Sequence, residues 1–153
     1  MNYHYTEAVR RQLIAILKNH AAVFIEFEDA SFEEDTQHAT DMKIVTKGKA
    51  IAVRIRNSDC RFRDLTIRSS NRGYCTEIDK IRKGDGDIYL YGWKDGADNI
   101  IEYLLVNIDK FRDSGLLDEK RSEIPNYDGT AFTTYSIGEL EKTGCIIYKR
   151  LNK

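Results

Sequence analysis

Hydrophobic residues recur at helical spacing near the start of the chain and mostly at strand spacing afterwards. Within residues 6–19 the apolar positions 9, 13, 14, 16 and 17 fall on one side of a helix, and Thr6 is placed as its N-cap. This pattern predicts an amphipathic helix. The aromatic and β-branched run at residues 22–27 predicts a strand, with an extension of the helix as the alternative.

Two short apolar segments then flank a turn at residues 46–49 that contains lysine and glycine. We predict that residues 41–45 and 50–56 form a β-hairpin, with Asp41 at the start of its first strand. Because alternate residues of a strand share a face, Ala52, Arg54 and Arg56 point to the same side. The predicted hairpin therefore carries an acid at its start and two arginines at its end.

The rest of the chain predicts further strands and short helices. Residues 61–68 alternate between apolar and polar side chains and predict a strand, and residues 77–83 predict a helix that starts after Thr76 and stops at Gly84. Strands are predicted at 87–93 and 100–108, the second returning antiparallel to the first. A short helix around 109–116, a strand near 132–135, a small helix from Ser136 and a strand at 145–151 complete the order. The predicted fold class is α+β, an α/β sandwich with a central mixed β-sheet flanked by helices.

Length and composition set the size and environment that we expect. The 153 residues, 41% of them hydrophobic, suffice for one core, so we predict a single domain over 1–153. No apolar run long enough to span a membrane and no secretory leader is visible, so a cytoplasmic protein without membrane association is expected. Cys60, Cys75 and Cys145 are widely spaced and predict free, mostly buried thiols.

Charge is distributed unevenly along the chain although the net charge is only -1. Residues 42–83 contain 12 lysines and arginines against 4 acidic residues, whereas the segments on either side are acidic. A block with this excess of cations can attract an anionic ligand such as nucleic-acid phosphate. The alternative is a solvated strand face whose cations pair with the acidic segments.

The hairpin and its neighbours resemble the PD-(D/E)xK nucleases, particularly those similar to archaeal Holliday-junction resolvases. In that family an Asp-led strand runs through a Lys/Gly turn into a strand that ends Glu-Val-Lys-x-Arg. The resemblance covers residues 5–93, which would form a restriction-endonuclease-like core, with 94–153 as a C-terminal extension. By this resemblance Asp41 matches the metal-binding aspartate, Arg54 takes the place of the lysine and Arg56 matches a trailing basic residue.

The chain departs from the family pattern at Ala52, which occupies the position of the glutamate. Alanine cannot ligate a metal, and arginine cannot serve as a base because its pKa is very high. A carboxylate from Glu28, Glu34 or Asp35 ahead of the hairpin, or Glu77 from the following helix, would restore the missing ligand. The resemblance therefore implies Mg²⁺ as a cofactor, with Asp41, Glu34 and Asp35 as candidate ligands and with Asp41, Arg54 and Glu77 as candidate catalytic residues.

Further residues in the basic block are candidates for phosphate contact. Their alternative is a salt-bridged strand face. The candidate nucleic-acid-binding residues are Arg56, Arg61, Arg63, Arg68, Arg72 and Lys80. Tyr89, Tyr91 and Trp93 alternate along one predicted strand, where core packing is favoured over base stacking.

Three functional hypotheses remain open at this point. The first is a nucleic-acid-acting protein of the kind found in bacteria and their phages, hydrolysing phosphodiesters with Mg²⁺. The second is a catalytically inactive nuclease-like module that binds DNA, RNA or a protein partner as a regulatory factor of a phage or mobile element; Ala52 and Arg54 favour it. A third is an oligomerising structural protein that uses its tyrosine-rich strands.

Overall fold

A computed structural model describes residues 5–29, 31, 42–46 and 48–152 of the chain. The chain divides into two compact units, Met1–Lys49 and Ala50–Lys153. No helix in the described ranges is long and apolar enough to cross a membrane. Cys60, Cys75 and Cys145 are free thiols, but only Cys145 is buried.

Among its described residues, the first unit has an α-helix, a 3₁₀ turn and a two-stranded sheet. Helix α1 (Glu7–Asn19) begins where the sequence predicts, because the Thr6 hydroxyl accepts a hydrogen bond from the backbone N–H of Val9. Its apolar stripe is buried at Val9, Leu13 and Ile16. A 3₁₀ turn (Ala21–Phe24) leads into β1 (Ile25–Asp29), so the strand predicted at 22–27 starts three residues later, and β1 pairs antiparallel with β2 (Met42–Thr46).

The predicted hairpin is wrong in its pairing. Strand β2 pairs with β1, whereas the next strand, β3 (Ile51–Asn57), pairs in parallel with β5 (Ile88–Lys94) in a different sheet. Residues 46–49 lack the Asn-Gly or Asp-Gly sequence that favours a tight two-residue hairpin turn. The parallel pairing instead places β3 beside β5, an almost entirely buried strand of the second unit.

The second unit alternates short helices with strands. Apart from β3 and β5, its elements are β4 (Asp64–Asn71), α2 (Glu77–Lys83), β6 (Ile100–Asn107), α3 (Ile108–Asp113), β7 (Ile124–Pro125), β8 (Thr130–Ser136), α4 (Ile137–Lys142) and β9 (Ile146–Arg150). Helix α2 is bounded as predicted. Thr76 and Asp79 form a reciprocal capping box at its start, and Gly84 ends it with a left-handed φ of 101°.

These strands form two sheets. One is mixed, with order β3-β5-β6-β9, in which β3 runs parallel to β5 and the other pairs are antiparallel. The other is antiparallel, with order β4-β8-β7. The fold is therefore α+β, as the sequence predicts. Strands from the predicted C-terminal extension take part in both sheets, since β6 pairs with β5 and β8 pairs with β4.

One hydrophobic cluster joins both sheets and the helices of the second unit. Leu65 and Ile67 from β4 meet the aromatic residues of β5, and α2 and α3 contribute apolar side chains to the same cluster. Tyr89, Tyr91 and Trp93 are each at most 2% exposed, which confirms the predicted core packing. The aromatic strand is therefore structural and cannot stack bases.

Candidate functional site

An open cavity of about 350 Å³ lies where β3, β4 and α2 meet. We call it the Glu77 pocket and define it by Ala52, Arg54, Arg68, Glu77, Lys80 and Tyr89. Strand alternation places Ala52 and Arg54 on one face of β3, and Tyr89 is the parallel register partner of Ala52. The pocket is also lined by three residues outside β3 that the sequence predicts to bind nucleic acid or to act in catalysis: Arg68, Glu77 and Lys80.

Glu77 is the centre of the hydrogen-bond network in this pocket. Its Oε2 accepts from Arg54 Nη2 at 2.9 Å and from the backbone N–H of Arg68 at 3.1 Å, and its Oε1 accepts from the Tyr89 hydroxyl at 2.5 Å. Arg54 also donates from Nη1 to the carbonyl of Thr66 at 3.1 Å. The carboxylate is therefore fixed in position by donors from β3, β4 and β5.

Burial keeps the pocket's phenol protonated. It raises the pKa of Tyr89 well above its usual range, and the neighbouring Glu77 carboxylate adds to the effect. The Tyr89 hydroxyl is therefore a permanent donor to Glu77 at physiological pH. It orients the carboxylate and is no candidate for a base.

The cations of the pocket differ in whether their side chains form internal hydrogen bonds or salt bridges. The Arg54 charge is matched by Glu77. The side chains of Arg68 and Lys80, in contrast, make no hydrogen bond or salt bridge with the part of the chain that the structure describes. Asp85 is the second acid of the lining, so three cations face two carboxylates. Two of the cations can contact an anion without first breaking an internal bond.

Two other predicted phosphate-binding arginines, Arg63 and Arg72, make contacts within the chain. Arg63 contacts Glu102 at 2.5 Å, donates to the carbonyls of Cys60 and Ser58, and lies over the Trp93 ring at 5.1 Å. The Arg72 guanidinium donates to the carbonyl of Asp128. Arg63 therefore matches the salt-bridged alternative. Arg72 is held by hydrogen bonds to a backbone carbonyl.

The remaining candidates lie elsewhere. Arg56 is half-buried on β3 with Nη1 3.4 Å from the Tyr91 hydroxyl, and it lines a second cavity. Arg61 is exposed. Asp41, Glu34 and Asp35, the predicted metal ligands, lie outside the described residues.

The described residues do not fit a magnesium site. They contain no group of three or more Asp, Glu, His or Cys side chains arranged to hold a metal. Both Glu77 oxygens already accept hydrogen bonds, and Ala52 supplies no ligand. Because Mg²⁺ in proteins is usually held by one or two carboxylates together with waters, a magnesium site would need carboxylates beyond Glu77.

Sequence reasoning missed the roles of Tyr89 and Thr66 in the network. Both depend on partners from distant strands, so no local motif marks them. The one available signal was the unbroken apolar run of β5, which is typical of a central strand with neighbours on both edges. It marks β5 as a central strand and does not identify β3 as its neighbour.

No family model, curated protein or solved structure matches this chain. The resemblance to PD-(D/E)xK nucleases therefore stays a prediction from the residues quoted above.

Proposed function

We propose that this chain binds nucleic acid by accepting a backbone phosphate in the Glu77 pocket. The observation that carries the proposal is that two cations in the pocket lining, Arg68 and Lys80, make no side-chain hydrogen bond or salt bridge among the described residues, while the third, Arg54, is held by a carboxylate. Phosphate contacts by lysine and arginine supply most of the sequence-independent affinity for nucleic acids. The excess of cations in residues 42–83 supports the same ligand class.

Glu77 has an electrostatic and structural part in this proposal. It holds Arg54 against β3 and lowers the positive charge of the pocket, which reduces the number of cations available to a phosphate. Its hydrogen bond with the Arg68 backbone also connects α2 to β4. The carboxylate therefore supports the walls of the site while the free cations contact the ligand.

Binding to fluorescein-labelled DNA and RNA, each single- and double-stranded, tests the proposal over a range of salt concentrations. We expect log K to fall linearly with log salt. Arg68→Gln and Lys80→Gln should each flatten that slope by about 0.7 to 0.9, as expected for the loss of one phosphate contact. Lys142→Gln, an exposed lysine on α4 outside the pocket, is the matched control and should leave the slope unchanged. Absence of salt-dependent binding to every substrate would reject the proposal.

A second candidate, phosphodiester hydrolysis with Mg²⁺, is favoured by one observation. Glu77 lies beside Ala52 and Arg54, where a relocated carboxylate is required. Incubation of the labelled substrates with Mg²⁺ or Mn²⁺ tests it. Cleavage that is lost in Asp41→Ala and retained in Lys142→Gln would support hydrolysis; substrates that are bound and left intact would restrict the function to binding.

A further inference from the structure

Among the described residues, the Glu77 carboxylate pairs with one of the three cations that line its pocket. It accepts hydrogen bonds from Arg54 Nη2, the backbone N–H of Arg68 and the Tyr89 hydroxyl. Of these three donors only Arg54 is charged, since a peptide N–H and a protonated phenol are neutral. The carboxylate is therefore satisfied without using the charge of the Arg68 side chain or of Lys80.

Helical spacing favours a pair between Glu77 and Lys80. The two residues are three positions apart on α2, and both line the same cavity. On a helix surface, acidic and basic side chains at this spacing are neighbours and stabilise the helix as an ion pair. Within the described part of the chain, however, Glu77 pairs with Arg54 and not with Lys80. The hydrogen bonds that fix the carboxylate elsewhere account for the difference.

Tyr89 supplies the hydrogen bond that competes with Lys80. Its hydroxyl donates to Oε1 of Glu77 at 2.5 Å, while Oε2 accepts from Arg54 and from the Arg68 backbone. The Tyr89 ring is 2% exposed and stacks on Tyr91 with 5.9 Å between ring centroids, so its hydroxyl has a fixed position. A lysine would have to immobilise a long, flexible side chain to make the same contact.

We propose that Tyr89 is a positioning residue that keeps Lys80 free to contact phosphate. By satisfying Oε1 with a neutral donor, the Tyr89 hydroxyl holds Glu77 on Arg54 and prevents an ion pair between Glu77 and Lys80. The inference rests on the proposed function, because it assigns Lys80 to the ligand. Tyr89 does not contact the ligand and acts through Glu77.

Removal of the Tyr89 hydroxyl takes away the neutral donor to Oε1 of a side chain that is 23% exposed. Hydrogen bonds from a charged donor to a carboxylate are roughly twice as strong as those from a neutral donor. The Lys80 ammonium lies at the favourable helical spacing, so it should replace the phenol as the partner of Oε1. One phosphate contact would then be lost although every cation of the pocket is still present.

Binding by Tyr89→Phe tests the inference on the full chain. Fluorescence anisotropy with the fluorescein-labelled DNA or RNA that wild type binds most tightly gives the slope of log K against log salt. Tyr89→Phe should flatten that slope by about 0.7 to 0.9, as Lys80→Gln does. Tyr103→Phe, which removes the hydroxyl of another buried tyrosine on β6 outside the pocket, is the matched control and should bind as wild type does.

Two double variants distinguish positioning from a general loss of structure. In the Lys80→Gln background, Tyr89→Phe should flatten the slope no further, because the cation that Glu77 would capture is absent. In the Glu77→Gln background, Tyr89→Phe should leave the slope unchanged, because no carboxylate remains to pair with Lys80. A general weakening of the fold would lower binding in every background. Circular dichroism and thermal unfolding establish that each variant is folded.

Amine labelling read by mass spectrometry tests the state of Lys80 in the wild type itself. Lys80 should react as fast as Lys142, an exposed lysine on α4 outside the pocket. In Tyr89→Phe the reaction of Lys80 should slow while that of Lys142 stays the same, because an ion-paired ammonium loses its proton less readily. Slow labelling of Lys80 in the wild type would show that it is already paired and would overturn the inference, whether or not Tyr89→Phe folds.

The outcomes separate this inference from the proposed function. If wild type binds with salt dependence and Tyr89→Phe equals Tyr103→Phe, the positioning role is rejected while phosphate binding stands. If Tyr89→Phe flattens the slope equally with and without Lys80, its effect does not depend on that lysine and the inference is also rejected. If wild type shows no salt-dependent binding to any substrate, the proposed function fails and the inference fails with it.

Discussion

Two glutamate–arginine pairs in the second unit share their chemistry and differ in their surroundings. Glu102 on β6 is paired with Arg63, which lies over the Trp93 ring, and the Glu102 side chain is 4% exposed. Glu77 on α2 is paired with Arg54 at the edge of a cavity, and its side chain is 23% exposed. The first pair closes the core, whereas the second leaves a charged surface that a ligand can reach. The two arginine side chains are similarly exposed, at 31% for Arg54 and 27% for Arg63, so the pairs differ chiefly in how buried the glutamate is.

The carboxylates of Glu102 and Glu77 also differ in the segments of the chain that they connect. Glu102 accepts from Arg63 and from the backbone N–H of Asn152, so it fixes the segment after β9. Glu77 accepts from groups on three strands around an opening. A third pair, Glu139 with Arg121, is more open still, since the Glu139 side chain is 37% exposed. The three pairs form a series of increasing exposure, and their removal should have decreasing effects on stability.

Glu102→Gln should have the largest effect. It removes the charge that compensates Arg63 in a nearly closed site, and breaking such a pair on one side costs about 3 kcal/mol in the free energy of unfolding. Urea denaturation followed by tryptophan fluorescence measures the change, because Trp93 lies under Arg63. A loss below about 1 kcal/mol would contradict the role assigned to this pair.

Glu77→Gln should destabilise the fold less, by about 1 to 2 kcal/mol, because glutamine keeps part of the hydrogen bonding and Arg54 has some access to water. The same change releases Arg54 and removes a negative charge, so affinity for nucleic acid should rise at low salt. The slope of log K against log salt should steepen by about 0.7 to 0.9 if Arg54 then contacts a phosphate. Unchanged binding by a folded Glu77→Gln would contradict the electrostatic role of Glu77.

Glu139 should show the smallest effect and a distinct pH dependence. The hydrogen bond from Arg121, followed by those from Ser136, lowers the pKa of Glu139 from 4.5 to about 2. A depressed folded-state pKa gives stability that is fully present above about pH 4.5 and is lost as the pH falls towards 2.

Glu139→Gln should cost less than about 1 kcal/mol at pH 7, since exposed pairs are screened and glutamine preserves the capping box. Thermal unfolding at pH 7 and at pH 3 measures it. The gap between wild type and variant should narrow at pH 3, and a gap that widens would contradict the assigned pKa.

Much of the local structure follows from sequence because its causes lie within a few residues. The Thr76 cap and the Gly84 stop of α2 depend on side-chain size and backbone geometry at single positions. The antiparallel return of β6 depends on a short turn between two apolar runs. Strand pairing between distant segments has no such local cause, and the β2–β3 hairpin was wrong for this reason.

The candidate site was predictable in part. Alternation alone places Ala52, Arg54 and Arg56 on one face, and Glu77 was among the carboxylates considered for that face. Arg63 and Arg68 look equivalent in the sequence. They differ because Glu102 on β6 neutralises one of them, and that contact depends on how the two sheets pack. The contact between Arg63 and Glu102 therefore cannot be predicted from the spacing of charged residues in the sequence.

The large sequence separation between paired strands has a consequence for folding during synthesis. Strand β3 must wait for β5, and Asp64 of β4 pairs with Ser136 near the end of the chain. Contacts between residues so far apart in sequence slow folding, because the loop between them must close first. The emerging chain therefore carries β4, with its apolar residues Leu65 and Ile67, without its partner strand until β8 has left the ribosome. Translation speed and chaperone availability should then control the yield of folded protein more than its final stability does.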